Sequence, residues 1–231
     1  MIVSALHKYI FVAIPKTGTH SVRQALRSHM GPSDLEQVGL FVQKKFPIPE
    51  LAKLQHGHLS LQQIRPYMRP EEWQSFFKFA FVRNPFDRFV SYCAFMTRAE
   101  GDFREDPKRV MRHFIANPPW THLLFQPQHS FIADEHGELL TDTVGRVEEM
   151  QQSYDEIAAR IGIPTSQLER VNSSERSEYR EYYDEELIDG VAKLYARDLQ
   201  LFGYSYRCSR CTPTRARPIP SASSVWSTLL D

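Results

Sequence analysis

Ile10-Phe11-Val12-Ala13-Ile14-Pro15-Lys16-Thr17-Gly18-Thr19-His20-Ser21 is the stretch whose reading decides the fold. An apolar, β-favouring run closes at Pro15, a compact Lys/Thr/Gly/Thr/Ser turn follows, and Val22 to Leu26 reads as the start of a helix. Strand, anion-sized turn and helix N-terminus in that order set backbone N–H groups and one lysine around a single oxyanion. The common nucleotide-triphosphate loop would read G-x-x-x-x-G-K-[ST]. Here the lysine precedes the turn's only glycine, so a phosphate-like group is expected, held in a different manner.

The same logic recurs downstream. Phe76 to Val82 is an aromatic-rich run suited to a central strand, with burial on both faces. It stops at Arg83-Asn84-Pro85, and Phe86 to Met96 reads as a helix with Pro85 in its first turn, where proline is tolerated. Two strand–turn–helix units predict an α/β, three-layer, P-loop-like fold: a central parallel sheet flanked by helices, with function at the C-terminal ends of its strands. Strands are placed at 8–14 and 76–82, helices at 21–29, 86–96, 148–161 and 184–202, and short extended pieces at 130–134 and 143–146. Arg207 to Asp231, rich in arginine, proline and small polar residues, predicts a disordered tail after a domain over 1–206.

With 231 residues and 42% hydrophobic composition the chain can bury one good core. Lysine plus arginine and aspartate plus glutamate both count 28, which argues against a dedicated nucleic-acid binder. Cys93 falls in an apolar helical run and reads as a buried thiol, and Cys208 and Cys211 form a lone C-x-x-C without a second pair. Such usage suits a reducing cytoplasm. The first apolar run is interrupted by the charged turn long before it could span a bilayer, so a soluble protein without an integral membrane segment is expected.

The turn at 15–21 and the Arg83–Ser91 segment together resemble the sulfotransferases that use 3'-phosphoadenosine 5'-phosphosulfate (PAPS), of the carbohydrate type and their bacterial relatives. His56-Gly57-His58, Asp142 to Glu148 and Tyr195 to Tyr204 are similar to further features of that family, and the likeness spans residues 8–206. The resemblance implies that Lys16, Thr17, Gly18, Thr19, His20 and Ser21 cradle the 5'-phosphosulfate, and that Arg83 and Ser91 hold the 3'-phosphate. Asn172 and Ser173 match a later nucleotide loop more loosely. It also implies that Lys16 neutralises the departing charge, that His58 is the base for the acceptor hydroxyl with His56 as runner-up, and that no metal is required.

Chemistry supports each assignment. A preorganised ammonium lowers the barrier to group transfer, Gly18 frees the backbone to turn around an anion, and a guanidinium offers a fork of donors to phosphate. An imidazole with an ordinary value near 6.5 suits proton removal at neutral pH. Thr19 or Ser21 would equally cap the helix, and Arg88 reads as a solvated helical residue. Trp120, His122, Phe125 and Gln128 form the stretch expected to touch the acceptor, a glycan, glycolipid or small metabolite. A homo-oligomer is compatible with the sequence. Two rival readings stand beside sulfuryl transfer to a hydroxyl: a PAPS- or PAP-binding protein without turnover, and a small-molecule kinase.

Overall fold

Both strand–turn–helix units are present in the computed structural model, which describes residues 1–39, 44–169 and 178–207. In chain order the elements are β1 (Ile2–Ser4), β2 (Tyr9–Val12), α1 (Thr19–Arg27), β3 (Leu35–Glu36), α2 (Pro49–Ala52), α3 (Leu61–Ile64), α4 (Pro70–Ser75), β4 (Phe77–Val82), α5 (Pro85–Met96), α6 (Asp102–Glu105), α7 (Pro107–Ala116), β5 (Thr143–Arg146), α8 (Met150–Ile161), α9 (Glu185–Leu194) and α10 (Ala196–Phe202). Asn172, Ser173, Cys208, Cys211 and the tail from 208 onward lie outside the described residues.

The sheet is mixed, not parallel as expected. Its order is β3-β1-β2-β4-β5. β2, β4 and β5 run parallel, but β1 is antiparallel to both β2 and β3. The cause lies in the short connection after Ser4, which pairs with Tyr9 across a tight turn; a link that short can only return antiparallel. Asp34 fastens the turn by accepting from the amides of Ala5 and Leu6 and from the Ser4 hydroxyl.

Side chains alternate across the sheet as the two-residue period requires. Tyr9, Phe11, Phe79 and Phe81 face α1 and α8, meeting Val22, Leu26, Tyr154 and Ile157. Ile10, Val12, Ala80 and Val82 face the opposite layer with Leu59, Leu61, Ile132 and Phe202. Helices therefore cover both faces. Phe11 and Phe79 stack at 5.3 Å between centroids, and burying each such ring contributes about 1.5–3 kcal/mol. A third apolar cluster joins α5, α7 and α9 and includes Cys93, buried as expected.

Two further expectations change. The helix placed at 184–202 is broken at Tyr195, whose backbone leaves helical geometry while its buried hydroxyl donates to the Phe125 carbonyl. The extended piece at 130–134 begins instead as a tight helical turn over Gln128–Phe131. The buried Asp198 carboxylate accepts from both the Gln128 and His129 amides and curls that backbone. No helix among the described residues is long and apolar enough to cross a membrane.

Candidate active site

The parallel pairing of β2 with β4 builds the site. Tyr9 pairs with Phe77 and Val12 with Ala80; the same offset sets Pro15 beside Arg83, so both turns leave the sheet at one level. An Arg83 Nη1 donates to the Lys16 carbonyl at 3.5 Å, joining the two turns directly.

In the first turn, Lys16 holds a left-handed φ of 66°. A side chain there costs about 1–2 kcal/mol, and such strain gathers at functional turns. Its ammonium lies 4.1 Å from the centre of the Phe95 ring. Gly18, left-handed at φ 67°, is the residue before α1 and has no side chain with which to cap it. The expectation that Thr19 or Ser21 caps it is corrected: among the described residues neither side chain accepts a first-turn amide, and a helix start carries partial positive charge. Thr17 is buried and its hydroxyl donates to the Ile14 carbonyl at 2.9 Å, so its amide is what it offers an anion. The His20 ring is half-buried, and burial lowers its proton affinity, helped by Arg23, Arg27 and Lys16.

In the second turn, Arg83 is held from three sides. Its side chain donates from Nε and Nη2 to Asp87, one helical turn on, at 2.7 and 2.6 Å. Its backbone N–H and C=O pair reciprocally with the buried Gln128 amide, each at 2.9 Å. A guanidinium has five N–H donors, so after Asp87 and the Lys16 carbonyl both terminal nitrogens retain one. Ser91 lies one helical turn beyond Asp87 on α5 and is half-buried.

His58 closes the third side. Its Nδ1 is 2.6 Å from the Ala13 carbonyl, which can only accept, so Nδ1 carries the proton and Nε2 the lone pair. Burial pushes the ring down to about 3, against the pull of the Ala13 carbonyl, with the N-terminal amine, Arg23 and His56 adding to the depression. The His58 amide donates to His56 Nδ1, which occupies that ring's lone pair. The two histidines therefore present opposite tautomers. Both line an open cleft of about 400 Å³ shared with Gln62, Leu123, Gln126 and Ser130.

Of the stretch expected to meet the acceptor, Phe125 and Gln128 are buried in the core. His122 is hydrogen-bonded to the Tyr92 hydroxyl and Trp120 is largely exposed. Their neighbours Leu123 and Gln126 reach the cleft instead.

Sequence reasoning missed several supports. Arg88, read as solvated, is buried and bonded to the Pro15, Leu124 and Gln126 carbonyls. Glu148 accepts from the Asn84 amide at 2.6 Å and from the Tyr204 hydroxyl at 2.7 Å. Asn84 itself caps α5 through Phe86 and donates to the Ser205 carbonyl. The Asp142–Glu148 and Tyr195–Tyr204 stretches thus converge on the Arg83 turn from behind. Arg88's position among Phe86, Phe89 and Val90 was the available signal: a cation inside an apolar helical phase has to find buried acceptors. Among the described residues, no three His, Cys, Asp or Glu side chains gather as a metal site.

Residues 1–205 match the model of the sulfotransferase family. A crystal structure of a sulfotransferase from Alicyclobacillus acidocaldarius is similar at a TM-score of 0.41 and 19% identity, over 84% of this chain and 95% of that one. No curated protein matches the chain. With nearly all of the described fold inside that family match, from β1 to the Arg83-directed motif ending at Tyr204, the chain belongs to the sulfotransferase family.

Proposed function

We propose that the protein transfers a sulfuryl group from PAPS to an acceptor hydroxyl in the cleft beside His58. One observation carries the reading: Arg83 Nη1 on the Lys16 carbonyl, which brings a helix start and a phosphate-suited guanidinium to one strand edge. The fit to the donor rests on the first-turn amides at the start of α1 and on the left-handed Gly18, where any Cβ would sit 2.7 Å from Met150 Cε. Bound PAPS supplies the sulfuryl group and leaves as the bisphosphate PAP.

This chain's residues divide the work. The amides of Thr17 to Ser21 and the Lys16 ammonium hold and neutralise the 5' end, and Arg83 with Ser91 holds the 3'-phosphate. Asn172 and Ser173 are proposed as further nucleotide contacts. His58 takes the acceptor proton at Nε2, and its Ala13 bond keeps the ring in the tautomer that can do so. His56 lacks that lone pair, which favours His58 over it. A resting value of about 3 keeps His58 unprotonated at neutral pH, and an anion bound nearby raises its proton affinity when it is needed. The acceptor is proposed to be a carbohydrate, glycolipid or small metabolite, and the reaction to need no metal and to take place in the cytoplasm.

Calorimetric titration of PAP without magnesium, with AMP as control, tests the donor site. PAP is expected to bind at least about tenfold more tightly, a difference of about 1.4 kcal/mol. Equal affinity for AMP would sink the two-phosphate site. Sulfate transfer from PAPS, assayed separately, then distinguishes an enzyme from a donor-binding protein.

A further inference from the structure

Arg88 stands on α5 between Arg83 and Ser91, yet it serves neither turn as they do. Its side chain is 2% exposed. Nε donates to the Pro15 carbonyl at 3.0 Å, the peptide that leads into Lys16. Nη2 donates to the Leu124 carbonyl at 3.1 Å and the Gln126 carbonyl at 2.9 Å. Leu123 and Gln126 line the cleft beside His58. One rigid, planar cation therefore bonds the donor turn through one nitrogen and the acceptor wall through another. Among the described residues it makes no ion pair; three carbonyl dipoles accept its hydrogen bonds, Tyr195 lies against it as its nearest side-chain partner, and Asp198 is a more distant counter-charge. A buried cation is costly unless its donors are satisfied, so the two backbone segments cannot separate without leaving it unsatisfied. Lysine has one nitrogen and no fork, and cannot reproduce this arrangement.

We propose that Arg88 is a positioning residue that couples the donor turn to the acceptor wall, so that an anion held at Thr17–Ser21 stiffens residues 120–131. This rests on the donor reading above. The linkage is physical at each step: an anion on the first-turn amides fixes the Pro15 peptide, Pro15 fixes the guanidinium, and the guanidinium fixes two carbonyls of the wall. Ordering of one site thereby lowers the entropy still to be lost at the other.

Hydrogen–deuterium exchange with and without saturating PAP reads this coupling and needs no acceptor. In the wild type, PAP is expected to slow exchange across residues 120–131 on the order of fivefold, the lower end of ordinary coupling between sites. In Arg88→Lys and Arg88→Gln, PAP still binds by calorimetry, and the slowing is expected to fall below about twofold. A merely structural arginine would raise exchange in that segment equally with and without PAP. The proposal is overturned if either variant keeps the full PAP-dependent slowing, or if the wild type binds PAP with no change at 120–131. Loss of protection in β4 would reveal an unfolded variant, and the wild-type comparison then decides alone. A wild type that binds no PAP fails first in calorimetry and removes the donor reading together with this one.

Discussion

If Arg83 holds the 3'-phosphate as proposed, replacing it with alanine separates the two phosphates of the donor. Two effects add in the structure. The guanidinium keeps a donor on each terminal nitrogen for the proposed 3'-phosphate contact, and a hydrogen bond to a charged group contributes about 1.5–3 kcal/mol. Removing it also takes away the cation that holds the Asp87 carboxylate at 2.6–2.7 Å, which leaves more negative charge beside the phosphate. Together these give about 3–4 kcal/mol, or roughly a hundred- to thousandfold weaker PAP binding at about 1.4 kcal/mol per tenfold. AMP, lacking the 3'-phosphate, is expected to change less than about threefold. The double variant Arg83→Ala/Asp87→Ala is expected to recover about 1 kcal/mol, because the adjacent pair is not additive. Calorimetry on the wild type, Arg83→Ala, Asp87→Ala and the double variant, with both nucleotides, decides it. Equal losses for PAP and AMP, or a double variant weaker than the single one, would refute the reasoning.

His58→Ala is expected to cut sulfate transfer by about 10²–10⁴-fold, the usual range for a general base, while PAP affinity by calorimetry stays close to the wild type; near-normal turnover removes the base assignment. The same ring makes stability depend on pH. Its folded value of about 3 lies below the unfolded value near 6.5, so the unfolded chain binds the extra proton, and stability present above pH 6.5 is lost as the pH falls towards 3, at no more than about 1.4 kcal/mol per pH unit. Urea midpoints at pH 7, 6 and 5 should drop more steeply in the wild type than in His58→Gln, and parallel slopes would contradict this. Asp198→Ala strips partners from the buried Gln128 amide and from the His129 amide and ring. It should cost about 3 kcal/mol and lower Tm by roughly 6–12 °C, and a fall under about 2 °C would show that the carboxylate is dispensable.

The parts of this molecule legible in its sequence are those where local signals agree. β-favouring residues running into a Lys/Thr/Gly turn placed β2, and the Phe76–Val82 run placed β4, each within about two residues of the observed ends. β1 escaped because three residues show no periodicity, and its direction is set by a tight turn that Asp34 holds from thirty positions away. Tyr195 escaped for a similar reason: its place in the apolar period is unchanged by the break, which answers to the Phe125 carbonyl. At the site, the turn residues stood out by type and spacing and His58 through the family resemblance of its segment, whereas the tautomer of His58 depends on Ala13, forty-five residues before it. Gln128 looked like an acceptor contact because an exposed amide and a buried one read alike in sequence. Only its reciprocal bonds to the Arg83 backbone assign it to the frame.

α5 has a consequence for how this protein can change. None of its twelve residues is exposed. One side carries Arg83's partner Asp87 and Ser91, another carries Arg88 against two loops, and the rest fills the cluster with α7 and α9. An ordinary surface helix keeps a water-facing stripe where mutations accumulate freely, whereas the outermost residues of this one, Asp87, Ser91, Ala94 and Phe95, are only partly exposed. In a saturation library selected for folding and turnover, Pro85 to Met96 should therefore be the segment with the fewest accepted substitutions. Neutral drift would be confined to helices such as α7, whose outer face meets water.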